Sequence, residues 1–490
     1  MENMHDLQAL IESGKRLIVL ETQQEAGCVN SFKEIAKHSR HLYYRWSATQ
    51  GLEQIPASFN QQPLSKNIEY LFSEILRSER ASVFILIDFH PYIEDAMNIR
   101  RIKDVLAANE HNSLIFLSPN IEIPEELQPL ITHYELPAPT AEQLKKMVYG
   151  HAKQWSREHN QKVQRKGNDV LQRLIANLSG LPLADADRLA RNAIYNDGII
   201  DNQDIVDVAK EKFKLLNQDS VLHLHLDFEK MQDIAGLHQL KHWLGVREAV
   251  FTGKVTLPGA DIPKGVMLLG VQGCGKSLAA KAIAGAWKVP LLHLDLGALY
   301  NRFFGQTEEN MRDALRTAEL MSPCVLWVDE IEKGLSAVSA SDDVSKRMLG
   351  TFLTWMAEKK QRVFVVATAN DVSVLPPELL RKGRFDEVFF VDLPKQEDRS
   401  AILAIHLNKR ELLTDLIDVE QIASLTCGFS GAELEQIVVA ALYAGHSSGQ
   451  PSITTELLVD QVKATRPLSL LMHEDVEALR RWAAQRSVMA

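Results

Sequence analysis

Short apolar runs alternate with stretches of helical periodicity along the chain, and the pattern occurs twice. In the first half, residues 1–13 predict a short helix and GKRLIVLET (14–22) an apolar strand. SFKEIAKHSR (31–40) then reads as helix and HLYYRWS (41–47) as strand. VFILIDF (83–89), NSLIFLSPN (112–120) and THYELPAP (132–139) are further strands. Strands that alternate with helices predict a parallel, doubly wound α/β sheet. The second half repeats the order. Val266–Leu269, Val325–Val328 and Val363–Ala367 are buried-strand runs, residues 344–360 carry apolar positions at helical spacing, and from Glu397 onward the pattern is wholly helical. ILIDF mirrors VLWVDE, YELPAPTAEQL mirrors FVDLPKQEDRS, and SGLPLADADRLARNAIY (179–195) mirrors CGFSGAELEQIVVAALY (427–443). The expected layout is therefore an N-terminal domain at 1–200 that is a degenerate copy of the C-terminal fold. A connector at 201–224, an α/β subdomain at 225–395 and a helical lid with a final helix at 396–490 follow.

The chemistry lies between Gly265 and Asp386. GxxxxGK[ST] runs Gly270, Val271, Gln272, Gly273, Cys274, Gly275, Lys276, Ser277, and Leu278 opens the helix after it. A phosphate chain needs backbone N–H donors converging on it, and glycines let the backbone come close. The helix that follows points its partial positive end at the same phosphates. The pattern assigns Lys276 to the β- and γ-phosphates of ATP and the Ser277 hydroxyl to Mg²⁺. Asp329-Glu330 ends the next apolar run. Asp329 is placed to hold the Mg²⁺ shell and Glu330 to take a proton from the attacking water. Asn370, after the third run, is placed to orient that water; an Asn after a strand is otherwise a turn residue. Arg381 and Arg384 flank Gly383. Such arginines either stabilise γ-phosphate charge from a neighbouring subunit or belong to a salt-bridged surface loop beside Asp386 and Glu387.

MQDIAGL, GVQGCGKS, RFFGQTEENMR, WVDEIEK, ATAN, LLRKGRFDE and GFSGAELEQI occur in this order over residues 225–465. In that order they resemble the AAA clade of AAA+ ATPases. The chain length, GTFLTWMAEK and the RRWAAQR tail resemble the orphan chloroplast-reading-frame (ycf46-like) AAA ATPases. The resemblance implies an ATP-hydrolysing ring, a homo-oligomer and typically a hexamer, that remodels or threads a protein partner. A slow nucleotide-dependent switch or scaffold is the alternative. It places Asp233, Ile234 and Ala235 near the adenine and His406 near the ribose or adenine. Gly431 and Ala432 would close over the nucleotide from the lid, with Arg381 and Arg384 as arginine fingers. Arg302-Phe303-Phe304-Gly305 falls where such rings carry an aromatic pore loop; the plainer reading packs Phe303 in the core. By the same comparison the N-terminal domain is AAA-like but inert: after LIVLE come TQQEAGC, and Phe89 follows Asp88.

Composition narrows the classes. The 490 residues hold 54 Lys and Arg against 64 Asp and Glu, a net charge of −10. That balance disfavours nucleic acid as the partner. No apolar run approaches the roughly 20 residues that span a bilayer, and no signal peptide is expected at the start. Cys28, Cys274, Cys324 and Cys427 are scattered, as suits a reducing cytoplasm or plastid stroma. Cys274 lies inside the phosphate loop, as filler or as an oxidation-sensitive brake. His473-Glu474 starts no zinc-protease motif, because residue 477 is Glu.

Overall fold

A computed structural model describes the chain except residues 1–4, 23–24, 57–65, 109–110, 120, 135–137, 168, 218–220, 227–228, 256, 301–306, 337–342, 382, 413–416 and 448–452. It divides into two compact units, Met1–Tyr149 with Leu181–Arg191, and Gly150–Gly180 with Asn192–Ala490.

The first unit is built on six strands, β1 Leu17–Glu21, β2 Leu42–Ser47, β3 Gly51–Ile55, β4 Ser82–Ile87, β5 Ser113–Ser118 and β6 Ile131–His133. Their order is β3-β2-β4-β5-β1-β6. All neighbours run parallel except the β2–β3 hairpin. The central strands β4 and β5 are buried along their whole length, because helices cover both faces of a parallel sheet. Leu17, Phe84 and Phe116 fill one face, and Ile18, Ile85 and Ile115 the other.

In the second unit a two-residue bridge, β7 Gln164–Arg165 with β8 Ile199–Ile200, stands apart from the main sheet. That sheet comprises β9 Leu222–His225, β10 Gly265–Gly270, β11 Leu291–Leu294, β12 Cys324–Val328, β13 Val363–Ala369, β14 Glu387–Val391 and β15 Val488–Met489. Its order is β15-β14-β10-β13-β12-β11-β9, with only β9 antiparallel. Counted in chain order within each unit, the five core parallel strands stand 2-3-4-1-5 in both sheets. Each sheet also carries one antiparallel strand beside its second parallel strand. The repeat in the sequence is thus a repeat of topology. The lid is a separate cluster of helices, Gln396–Asn408, Val419–Leu425, Gly431–Ser447 and Thr455–Ala464, around Leu403, Leu434 and Val438.

Three edge strands differ from the expected elements. β3 and β9 are short and carry polar residues on one side, and β15 extends the chain past the final helix, His473–Arg486. That helix docks through Arg480, whose guanidinium donates to both carboxylate oxygens of Asp392 at 3.0–3.1 Å. The expected connector is mostly a helix, Asn202–Leu216, started by a capping box between Asp201 and Asp204.

Lys212 on that helix is fully buried, and its ammonium donates to the Ser179 carbonyl at 2.6 Å. Burial pushes its pKa from 10.5 down to about 7. Above pH 7 the folded chain releases this proton while the unfolded chain keeps it, so the unfolded state binds more protons and stability rises with pH. Thermal melting followed at pH 7 and pH 8.5 should show the midpoint rising, and Lys212→Met should make that rise smaller. Lys276 and Lys359, both depressed to about 8 by burial, preserve part of it. An unchanged slope in the variant would remove Lys212 from this account.

Candidate functional site

The parallel strands β10, β12 and β13 end at one edge of the sheet, and each delivers a functional group there. β10 turns into the loop Val271–Gly275 and then the helix Lys276–Trp287. Gly270 sits at φ 152°, where a Cβ would lie 2.0 Å from the Val391 carbonyl oxygen, so no other residue fits without moving β14. Lys276 is 6% exposed, and its ammonium donates to the carbonyls of Gly270 at 2.7 Å and Val271 at 2.8 Å. Gly270 and Val271 thus serve the site by holding the lysine.

β12 ends in Asp329, then Glu330 at φ 44° in the left-handed region. That conformation is uncommon for a residue with a side chain, and it re-aims the carboxylate. Asp329 Oδ1 accepts from Ser277 Oγ at 3.2 Å and from Thr368 Oγ1 at 2.5 Å. The same Thr368 oxygen accepts from the Glu330 backbone N–H at 2.9 Å. Glu330 Oε1 accepts from Asn370 Nδ2 at 3.0 Å, and its other oxygen pairs with Lys333.

The far wall comes from Asp233, Ile234 and Ala235, just beyond the turn Met231–Asp233. Lys241 secures it by donating to the Ile234 carbonyl at 2.5 Å. From the lid, the Ala432 N–H donates to the Gly273 carbonyl at 3.0 Å, tying lid to phosphate loop. His406 lies 3.5 Å from Glu435, which also accepts from Arg410 at 2.7 Å. Burial pushes His406 below its ordinary pKa, against the pull of Glu435. Burial also pushes the Cys274 thiol up to about 12, which favours its protonated form.

These parts enclose a cleft of about 520 Å³. It is lined by Asp233, Ile234, Ala235, Gln272, Gly273, Cys274, Gly275, Lys276, Ser277, Leu278, Asp329, Glu330, Asn370, His406, Gly431 and Ala432. That volume lies within the range of roughly 300–1,000 Å³ for small-molecule sites. Oxygens bound side by side on Mg²⁺ at about 2.1 Å stand about 3 Å apart, so the Ser277–Asp329 spacing fits the ion. Among the described residues no three His, Cys, Asp or Glu are grouped to hold a metal. Magnesium in nucleotide sites needs no such cage, since phosphates and waters complete its shell.

Arg381 and Arg384 are not among the lining residues. Arg381 is exposed, and Arg384 donates to the Glu378 carbonyl. Their loop is pinned at the start of β10, where Asp386 accepts from the N–H groups of Lys264 at 2.7 Å and Gly265 at 2.9 Å, and Lys264 Nζ donates to the Gly383 carbonyl at 2.9 Å. The phosphate loop leaves the other end of the same strand. Phe303 lies outside the described residues.

The sequence reading missed Thr368, Glu332, Lys241 and the Glu229, Lys409 and Glu435 rim of the cleft. Thr368 stands two residues before Asn370 inside a buried strand, a position whose spacing alone does not mark what its hydroxyl faces. Thr368→Val keeps the shape but leaves the Glu330 N–H without its acceptor and frees Asp329. Losing such a bond costs about 1–3 kcal/mol, so Mg²⁺-dependent ATP turnover should fall roughly tenfold or more. Nucleotide affinity without Mg²⁺ should hold within about twofold. A steady-state ATPase assay with a fluorescent-nucleotide titration checks both.

Comparison with known proteins agrees with this geometry. Residues 266–393 match the profile of the ATPase family associated with various cellular activities (AAA), and residues 417–459 match the AAA+ lid domain. Residues 3–136 and 142–219 match the N-terminal and second domains of SpoVK-like AAA ATPases. The chain is 34% identical to the AAA domain-containing protein ycf46 of Pyropia yezoensis, over 99% of this chain and 98% of that one. It is 33% identical to ycf46 of Guillardia theta, over 99% and 95%. The proteasome-activating nucleotidase of Aeropyrum pernix is 36% identical over 42% of this chain and 52% of its own length. With a matching profile over the cleft and full-length relatives at this identity, the chain belongs to the ycf46-like AAA ATPases, and its activity is ATP hydrolysis.

Proposed function

We propose that the chain works as a head-to-tail ring, a hexamer in the simplest case, whose ATP turnover remodels or threads a protein partner chosen by its N-terminal unit. The observation that carries this reading is the distance between the arginines and the cleft of their own chain. β10 separates the two, and six residues of strand span about 17 Å. An arginine side chain cannot fold back that far, which supports a role for Arg381 and Arg384 at the cleft of the next protomer. Such an interface is heterologous and closes into a ring.

In the proposed mechanism the Lys276 ammonium leaves its carbonyls for the β- and γ-phosphates. Ser277 and Asp329 would hold Mg²⁺, which would supply positive charge against those phosphates. Glu330, oriented by Asn370, accepts a proton as the water oxygen bonds to the γ-phosphorus and the bond to the β–γ bridging oxygen breaks. The guanidinium of the neighbour meets the charge that develops. Asp233–Ala235 and His406 seat the base and ribose, and Gly431 and Ala432 carry the lid's response. Phe303 would grip the partner in the pore. Among the described residues no helix is long and apolar enough to cross a membrane, and we place the ring in cytoplasm or plastid stroma.

Two variants test the trans arrangement. Glu330→Gln should bind ATP but turn over at least about a hundredfold more slowly, and Arg384→Ala should be similarly slow. Mixed before assembly, they should regain part of the activity, because some clefts then combine an intact Glu330 with an intact Arg384 from the neighbour. No regain, with particles that stay monomeric in light scattering under ATP, would sink the ring. Phe303→Ala should keep basal turnover and lose partner-stimulated turnover. Slow, unstimulated hydrolysis in the unaltered protein would favour the switch reading.

A further inference from the structure

Two residues beyond Glu330 stands a second carboxylate, Glu332, in the first turn of the helix Ile331–Ser336. It is only 6% exposed, unusual for a glutamate. Oε1 accepts from the Asn370 backbone N–H at 2.8 Å, while Oε2 is buried without a hydrogen-bond partner. Asn370 is the first residue after β13, and its side-chain amide is the group that reaches Glu330 Oε1 at 3.0 Å. Glu332 and Glu330 therefore hold the two ends of one asparagine, the former by its backbone and the latter by its side chain. A surface glutamate at a helix start would be solvated and interchangeable. This one is buried and spends its carboxyl on the turn that aims Asn370.

We propose that Glu332 is a positioning residue for hydrolysis: its carboxyl fixes the Asn370 backbone, and through Asn370 it sets the direction of the Glu330 carboxylate. The inference rests on Glu330 being the base. It assigns Glu332 no contact with nucleotide or water. Burial raises the Glu332 carboxyl above its ordinary pKa, helped by the nearby Glu330 charge and opposed by the Asn370 N–H. Only an acceptor at Oε1 is required, and a glutamine supplies one while its amide nitrogen replaces the orphan oxygen.

The test is a double-mutant cycle in the full-length protein. Glu332→Ala should lower kcat by roughly tenfold to a hundredfold, as misplacement of a reacting group does, with KM for ATP and fluorescent-nucleotide affinity within twofold. Glu332→Gln should restore kcat to within about threefold. In an Asn370→Ala background, Glu332→Ala should cost less than twofold more, because the residue acts through Asn370. Equal losses from Glu332→Ala with and without Asn370, or a Glu332→Gln variant as slow as Glu332→Ala, overturn the proposal. Should Glu332→Ala fail to fold, Glu332→Leu takes its place in the cycle, with the same expected and overturning outcomes. Glu330→Gln is run alongside: full activity there overturns the base assignment, whereas an inactive Glu330→Gln beside an unaffected Glu332→Ala overturns this inference alone.

Discussion

The site depends on one hydroxyl, that of Thr368. It donates to Asp329 and accepts from the Glu330 N–H, and so joins the end of β13 to the end of β12. Without that bridge the two carboxylates would sit on a turn free to choose its conformation, and the left-handed Glu330 would have little reason to stay there. Everything else in the cleft is arranged around the directions the bridge fixes. Ser277 meets Asp329 from the phosphate-loop side, and Asn370 meets Glu330 from the next turn. A parallel sheet makes this possible because it brings the carboxyl ends of its strands to one edge.

The same strand that presents the phosphate loop also keeps the arginines away from it. Asp386 is hydrogen-bonded to the first residues of β10, and the loop that begins at Val271 follows its last. β10 is buried throughout, so its ends cannot approach one another without dismantling the core. The separation is a property of the fold, and it leaves the cleft lined without either arginine of its own chain. The lid is tied in at the opposite side, through the Ala432–Gly273 hydrogen bond, so a change in the phosphate loop reaches the lid directly.

How far the sequence could be read follows from the same physics. Lys276 and Ser277 were legible from the GxxxxGK[ST] pattern, and Asp329 and Asn370 because each follows an apolar run that marks a buried strand. Thr368 and Glu332 were not. Both lie inside elements, and nothing in their spacing distinguishes a hydroxyl or carboxylate that faces a partner from one that faces water. The edge strands escaped for a related reason. Leu222–His225 alternates apolar and histidine positions over four residues, too short to be told from a loop, and its place was set by pairing with β11. The repeat between the halves was visible only in fragments, because five strands in a given order leave no signature in local sequence. That order becomes evident once the pairings are known.

The first unit shows what the shared order does not guarantee. β10 ends in Gly270, whereas β1 ends in Glu21. Its Oε1 accepts from the Ile121 N–H, a bond internal to the unit. At the end of β5 the buried Ser118 Oγ has no partner among the described residues. Asp88 follows β4, and its N–H donates to the Leu117 carbonyl. The two units share the strand order, and the Thr368 bridge belongs to the second. A strand order is held by the hydrophobic faces of many residues and tolerates substitution, whereas a phosphate site is held by a few polar atoms, and loss of one leaves the others with nothing to hold.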